Sequence, residues 1–137
     1  MSSVRHAAVC AFVVLAVAPP AALGGGGPEP PVKLRMSEYR IRLDRGHASA
    51  GYFRMDLRNT GKVLHDLAII KTARTAKQLP VTNGHVSRHG LKFVHPLDPG
   101  EHVVVVFGAN LRPGHYVLIC DIPGHYQKGM RRDFTLR

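Results

Sequence analysis

Alternation of apolar and polar residues dominates the chain from about residue 32 onward. Apolar side chains occupy the even positions from Val32 to Met36 and the odd positions from Tyr39 to Leu43. A period of two predicts strands with one buried face. Because a shift of one residue exchanges the two faces of a strand, we expect a bulge or bend near Ser37 and Glu38.

The same alternation continues towards the C-terminus, with turn residues between the apolar segments. Further strands are predicted at Phe53 to Leu57, Leu64 to Lys71, Leu91 to His95, Val103 to Phe107, His115 to Cys120, and through Phe134 and Leu136. The continuous apolar run from Val103 to Phe107 predicts burial on both faces. The polar segment from Thr72 to Gly90 is long for a connection without structure, so we expect a short helix or a functional flap there. Many short strands between Pro and Gly turns predict an all-β Greek-key sandwich.

The N-terminal part of the chain has a different composition. Arg5 precedes an apolar run from Ala7 to Ala18, and small residues follow, which is the order of a secretory signal peptide. The run is shorter than the about 20 apolar residues that a transmembrane helix needs. We expect a signal peptide at residues 1–24, cut between about residues 21 and 27, with an uncleaved N-terminal anchor as the alternative.

The signal peptide determines the expected location and organisation of the mature chain. Residues 25–31 are predicted to form a Gly/Pro-rich linker, and residues 32–137 are predicted to form one folded domain. We expect an exported protein, periplasmic or extracellular, that is monomeric and has no transmembrane segment after cleavage.

The chain is strongly basic, with 19 Lys and Arg residues, 9 Asp and Glu residues and a formal net charge of +10. Loss of Arg5 with the signal peptide leaves about +9. This charge is consistent with electrostatic steering towards an acidic partner or an anionic surface. A generally basic surface without a dedicated partner explains it equally well. Nucleic acid is not expected as a partner, because the sequence contains neither a recognised nucleic-acid-binding motif nor an aromatic stacking stripe.

The segment from Cys120 to Met130 combines a thiol, an imidazole and a thioether. Four residues separate Cys120 from His125, and four separate His125 from Met130, around a Pro123-Gly124 turn. Soft sulfur together with imidazole favours copper, and two histidines, one cysteine and a weak axial methionine form blue-copper electron-transfer sites. The segment therefore predicts a copper-binding loop whose second histidine lies on another strand.

The cysteine count restricts the kind of site. Cys120 is the only cysteine that remains once the signal peptide, which contains Cys10, is removed. A single cysteine excludes an intramolecular disulfide. It also excludes a binuclear copper centre, which needs two bridging cysteines.

This loop, together with the preceding segment from Arg112 to Ile119, resembles the C-terminal half of the cupredoxins, the family of plastocyanin, azurin, rusticyanin and the phytocyanins. The two four-residue spacings are closest to those of rusticyanin and the phytocyanins. Upstream, the segment from Asn59 to Ile69 is similar to the turn and strand that bring in the first histidine ligand of the family. The resemblance extends from about Val32 to Arg137, and it implies a cupredoxin-like β-sandwich with one copper ion per chain.

The resemblance implies four copper ligands, which are His65, Cys120, His125 and Met130. Because Cys120 shares one face of its strand with Tyr116 and Leu118, we expect its side chain to point towards the core. The remaining histidines of the mature chain are expected at the surface. They are His47, His85, His89, His95, His102 and His115, with adventitious metal binding by His85 and His89 as an alternative.

Four further residues are expected next to the ligands: Asp66, Asp121, Pro123 and Gly124. Many cupredoxins have Asn after the first histidine, where its side chain ties the two ligand loops together. Asp66 can accept a backbone N–H in the same way. Both acidic residues also add negative charge near copper, which favours Cu(II) and lowers the reduction potential unless one of them is protonated.

The sequence thus predicts an exported blue copper protein that carries one electron at a time between redox partners and is not an enzyme. It contains no Ser/His/Asp arrangement, no Gly-rich phosphate loop and no His-x-His pair of the kind that accompanies oxygen chemistry in multicopper oxidases. Two alternatives stay open. One is a protein that stores or delivers copper with the same four ligands, and the other is a metal-free interaction module.

Overall fold

The computed structural model describes residues 28–137, so the predicted signal peptide and the first part of the linker lie outside the described residues. The described chain folds into strands and turns. Its strands are β1 (Val32–Ser37), β2 (Arg40–Leu43), β3 (His47–Ala48), β4 (Phe53–Asn59), β5 (His65–Lys71), β6 (Val81–Thr82), β7 (His85–Val86), β8 (Leu91–Leu97), β9 (His102–Phe107), β10 (Gly114–Ile119) and β11 (Arg131–Leu136). Within residues 28–137 there is no helix long and apolar enough to cross a membrane.

Two sheets face each other across one core. The four-stranded sheet has the order β2-β1-β4-β9, with β1 and β4 parallel, and the five-stranded sheet has the order β3-β11-β10-β5-β8. Their inner faces form the core because apolar side chains alternate with polar ones along the strands. Leu34, Met55, Leu67, Tyr116 and Phe134 are among its buried members. The predicted all-β sandwich is confirmed.

The change of alternation between β1 and β2 has a simple cause. Glu38 and Tyr39 form a two-residue turn between antiparallel strands. Across such a turn an even-numbered residue pairs with an odd-numbered one, so Met36 lies opposite Ile41 and both are buried. The bend expected here is therefore a hairpin turn rather than a bulge within one strand.

The outer face of β5 and β10 in the five-stranded sheet is covered by residues 72–90, which we call the flap. Within the flap, β6 and β7 form a short hairpin, and Ala76, Leu79 and Val86 pack onto the outward side chains of β5 and β10. A second apolar core results. The expected alternative of a short helix in this segment is wrong.

Strand β9 is not buried on both faces, contrary to the prediction. It forms the edge of the four-stranded sheet, and no layer of the described chain covers its outer side. Val104 and Val106 are 50% and 63% exposed, whereas Val103 and Val105 pack against the core. Burial on both faces requires a second layer, and an apolar run does not reveal whether that layer exists.

Residues 28–31, the described part of the predicted linker, form no strand. They nevertheless contact the domain. The backbone N–H of Ser49 donates to Oε2 of Glu29 at 3.0 Å, and Arg45 pairs with the same carboxylate at 3.5 Å. The chain reaches β1 from this side of the sandwich.

Candidate metal centre

Three of the predicted ligands meet at one end of the sandwich. Nδ1 of His65 lies 3.3 Å from Nδ1 of His125, and Sγ of Cys120 lies 3.9 Å and 3.4 Å from these two atoms. In the described part of the chain, this is the one cluster of three or more side chains of metal-binding type. The separations leave room for one ion about 2 Å from each atom, close to the distance at which imidazole and thiolate bind a first-row metal.

Backbone hydrogen bonds close the loop that carries Cys120, His125 and Met130. The N–H of Cys120 donates to the carbonyl of Met130, and the N–H of Met130 donates to the carbonyl of His125, both at 3.1 Å. Met130 is fully buried. The predicted Pro123-Gly124 turn is present, with φ of +84° at Gly124, a conformation that favours glycine.

Burial dominates the electrostatics of the cluster. Burial lowers the pKa of His65, and the neighbouring His125 lowers it further. Burial also lowers the pKa of His125, and Lys128 adds a smaller contribution. Both imidazoles are thus neutral at pH 7, the form that binds metals. Burial raises the pKa of the Cys120 thiol to about 11. A metal that binds this sulfur as thiolate must therefore displace its proton.

The loop before His65 is held by Asn59 and Glu38. Nδ2 of the buried Asn59 donates to the carbonyl of Val63 at 2.9 Å, and the Glu38 carboxylate accepts backbone N–H groups from the same loop. A Cβ at Gly61 would lie 2.6 Å from Oε1 of Glu38. A side chain at this position would therefore require the Glu38 carboxylate to move away from the loop.

Asp66 joins the two segments that carry the ligands. Its Oδ1 accepts the backbone N–H of Asp121 at 2.6 Å, and its own backbone N–H donates to Sγ of Cys120 at 3.4 Å. Burial raises the pKa of Asp66, and the hydrogen bond from Asp121 opposes that rise. The link that we expected from this carboxylate is present in the structure.

Asp121 has a partner that the sequence analysis missed. Its side chain is 2% exposed, and its Oδ2 accepts a hydrogen bond from Nε of Arg88 at 2.8 Å and forms an ion pair with Nη2 of the same guanidinium at 2.7 Å. Its Oδ1 accepts the backbone N–H of Val86 at 3.3 Å. Arg88 belongs to the flap and lies 33 residues away along the chain. No local pattern marked it, because any of many arginines could have paired with this acid.

His125 lies closer to the surface than the other two members of the cluster. The ring of Tyr39 packs edge-on against it, with the ring centroids 5.1 Å apart, and Nζ of Lys128 lies 4.0 Å from the Tyr39 centroid. Tyr39 is 38% exposed. This tyrosine, at the tip of the β1–β2 hairpin, was also missed by the sequence analysis.

The other six histidines of the described chain lie outside the cluster. His102, for example, contacts Asp56 at 2.8 Å on the outer face of the four-stranded sheet. His85 and His89 are exposed on the flap, and metal binding by these two residues stays a prediction.

The sequence matches no protein-family model and no curated protein. Solved structures are similar to it. A dithionite-reduced auracyanin from Roseiflexus castenholzii gives a TM-score of 0.58 at 20% identity, over 81% of this chain and 99% of that one. Auracyanin A, a blue copper protein from Chloroflexus aurantiacus, gives 0.52 at 24% identity, over 79% and 100%. The copper protein rusticyanin gives 0.55 at 15% identity, over 77% and 76%. The described chain therefore has the cupredoxin fold.

Larger copper proteins also contain this fold. A multicopper oxidase from Pediococcus acidilactici gives a TM-score of 0.55 at 20% identity, and the match covers 92% of this chain but only 30% of the oxidase. Fold alone thus does not separate carriers from enzymes.

Proposed function

We propose that this protein is a mononuclear blue copper protein that carries one electron at a time between redox partners. The observation that carries the proposal is the convergence of two imidazole Nδ1 atoms and one buried thiol, all within 4.8 Å of one another. Two imidazoles and one thiolate are the strong donors of blue-copper electron-transfer sites.

In this proposal His65, Cys120 and His125 would hold the copper ion, and Met130 would supply a weaker thioether donor. Support for Met130 comes from its complete burial and from the backbone hydrogen bonds that join it to Cys120 and His125. Bound copper would supply the one-electron chemistry by alternating between Cu(I) and Cu(II). The protein contributes a fixed set of donors that suits both states.

The positions of the donors in the fold support a carrier. His65 begins β5 and Cys120 follows β10, and these two strands pair in the middle of the five-stranded sheet. Their packing on both faces limits movement of the donors. Cys120, His65 and Met130 are fully buried and so shielded from water, whereas His125 lies near the surface beside Tyr39, where a partner can approach.

We propose a carrier rather than an enzyme. The two auracyanins match over 99% and 100% of their own lengths, whereas the oxidase matches over 30% of its length. The described domain therefore matches nearly the whole of each auracyanin. Among the described residues only one cluster of metal-binding type is found, which suits transfer of single electrons.

We further propose that the redox partner presents an acidic surface. Strand pairing places four residues side by side across the four-stranded sheet, and we call them the arginine row: Arg42, Arg35, Arg58 and His102. Like charges opposite each other weaken a sheet. Asp56 lies among them, paired with Arg35 at 3.1 Å. Carboxylates of a partner would relieve the remaining repulsion, and long-range attraction would speed their encounter.

A charge reversal tests this partner chemistry. Arg42→Glu should reduce the salt dependence of electron transfer with an acidic redox protein, because steering is screened over about 10 Å at 0.1 M salt. Lys92→Glu, an exposed position on β8 in the other sheet, is the matched control. Stopped-flow rates across a salt series decide the question. Equal salt slopes for the two variants would place docking away from the arginine row.

The proposal includes export, with cleavage between about residues 21 and 27, and a monomeric mature protein in the periplasm or outside the cell. The order of charged, apolar and small residues in residues 1–24 supports it. The intact mass of the secreted chain reports the cleavage site. Its sedimentation reports the oligomeric state.

Voltammetry of the copper-loaded protein tests the carrier function. A carrier should give a reversible one-electron wave and fast self-exchange, whereas a storage or delivery protein should pass its copper rapidly to a chelator or acceptor. Because the axial ligand tunes the potential, Met130→Gln should lower it and Met130→Leu should raise it. Unchanged potentials in both variants would remove Met130 from the ligand set.

A further inference from the structure

We propose that Arg88 is a positioning residue for the metal centre. It acts from the flap through the carboxylate of Asp121, the residue that directly follows Cys120. Two roles are assigned to it: it fixes the loop that carries His125, and it compensates a buried negative charge beside the cysteine sulfur. The second role rests on the proposed copper function, whereas the first does not.

The flap holds the ligand loop along its outer side. The hydroxyl of Tyr126 accepts the backbone N–H of Leu79 at 3.1 Å and donates to the carbonyl of Ala76 at 2.7 Å. Nε2 of Gln127 donates to the carbonyl of Gly84 at 3.2 Å. These contacts anchor the part of the loop that follows His125, and the contact between Arg88 and Asp121 anchors the part that precedes it.

Asp121 connects the flap to both ligand-bearing segments. Its side chain accepts one hydrogen bond from Arg88, with which it also forms an ion pair, and one from the backbone of Val86, while its backbone N–H donates to Asp66 at 2.6 Å. Asp66 in turn follows His65. A movement of the Asp121 carboxylate would therefore shift the backbone that carries Cys120. Through the hydrogen bond to Asp66 it would also shift the segment that carries His65.

The two partners differ greatly in exposure. The Asp121 side chain is 2% exposed, whereas the Arg88 side chain is 59% exposed. A buried carboxylate is costly unless it is paired and hydrogen-bonded. Arg88 can return to water without cost when its partner is removed, but Asp121 cannot. Removal of the guanidinium alone thus leaves the Asp121 carboxylate, one residue from Cys120, without its charged partner.

That charge would act on the metal. Negative charge near copper stabilises Cu(II) relative to Cu(I), so loss of the Arg88 guanidinium should lower the reduction potential. A tenfold change in the ratio of the two affinities corresponds to about 59 mV for one electron. A purely structural contact between flap and loop would change stability but would not shift the potential in a direction set by charge.

The experiment compares Arg88→Gln, Asp121→Asn and the double variant with the wild-type protein. Arg88→Gln should lower the potential by about 59 mV, the equivalent of a tenfold change in relative affinity. It should also weaken copper binding by about 10- to 100-fold, as the loss of residues that orient ligands does. Asp121→Asn should raise the potential slightly. The double variant, which contains no charge at either position, should return close to the wild-type potential.

Hydrogen exchange in the metal-free protein tests the clamp separately. Backbone amides of residues 122–129 should exchange faster in Arg88→Gln and also in the double variant, because a neutral amide pair cannot replace the paired guanidinium and carboxylate. Arg88→Lys keeps the charge and loses the two-point contact, so its potential should stay near wild type while its loop exchanges faster. Arg74→Gln, an exposed position in the same flap, is the control and should change neither quantity.

The outcomes separate the two claims. Wild-type exchange rates in Arg88→Gln would overturn the clamp, and a double variant with as low a potential as Arg88→Gln would overturn the charge compensation. Should Arg88→Gln fail to fold, exchange rates in Arg88→Lys and the double variant decide the clamp, and equal potentials in Asp121→Asn and the double variant would overturn the charge compensation, since none of these variants contains an unpaired buried charge. A wild-type protein that forms no blue copper site would contradict the proposed function but would leave the exchange test of the clamp intact.

Discussion

The outer faces of the two sheets contrast sharply. On the four-stranded sheet, polar side chains meet solvent and the outward valines Val104 and Val106 are 50% and 63% exposed. On the five-stranded sheet, the flap covers the outward positions of β5 and β10, so Val117 and Ile119 are 0% exposed, whereas Val94 on β8 is 43% exposed. Valine is thus a core residue on β10 and a surface residue on β9.

This contrast explains where the metal centre lies. His65 and Cys120 belong to the five-stranded sheet, whose strands β5 and β10 are packed on both faces along most of their length. Strands held between two apolar layers move little, which suits donors that must keep one geometry. The four-stranded sheet instead presents the arginine row to solvent. Its Glu38-Tyr39 turn lies at the end of the sandwich that holds the metal-binding cluster.

The largest expected effect compares one substitution on the two sheets. Val117→Ala should lower the free energy of unfolding by about 2–3 kcal/mol, because two buried methyl groups are lost and a cavity stays behind. Val106→Ala, at an outward position of the four-stranded sheet, should change the free energy of unfolding by less than about 0.5 kcal/mol. Urea denaturation of the metal-free proteins measures both values. Similar losses in the two variants would mean that the flap does not form a true second core in solution.

A smaller effect is expected from the acid in the arginine row. Burial raises the pKa of Asp56, but its contacts with Arg35 and His102 outweigh this and hold the pKa below its usual value. A carboxyl group with a lowered folded-state pKa stabilises the fold above the unfolded-state pKa of about 4, and this contribution is lost as the pH falls through the folded-state pKa. Asp56→Asn should therefore cost about 0.5–1 kcal/mol at pH 7.

The pH dependence provides the check on this prediction. The stability difference between the wild-type protein and Asp56→Asn should shrink when the pH is lowered from 7 to about 3. Asp98→Asn, in the turn between β8 and β9, is the control and should make little difference at either pH. A difference for Asp56→Asn that is constant with pH would show that Asp56 does not compensate the arginines.

The sequence predicted the features that depend on local pattern. Alternation marked most strands, and Cys120, Tyr116 and Leu118 do share the inner face of their strand. The spacing around the Pro-Gly turn and the cupredoxin resemblance identified the residues that converge at one end of the sandwich. Asp66 was expected to link the two loops, and it does so through the backbone N–H of Asp121.

The features that the sequence did not predict all depend on contacts between distant segments. The apolar run of β9 was expected to be buried twice, but no layer of residues 28–137 covers its outer face. The segment from Thr72 to Gly90 was expected to form a short helix or a functional flap. Its role as a cover follows only from its packing on β5 and β10. Arg88 could not be matched to Asp121, since charge pairing across 33 residues has no period or motif.

Visible absorption of the Cu(II)-loaded protein tests the central claim most directly. A Cu(II)–thiolate bond gives intense charge-transfer absorption, so the folded wild-type protein should be strongly coloured with one copper ion per chain. Cys120→Ser, which removes the sulfur donor of the cluster, should abolish the colour while the fold persists. A correctly folded wild-type protein that binds Cu(II) and stays colourless, or a Cys120→Ser variant that keeps the same band, would contradict the account.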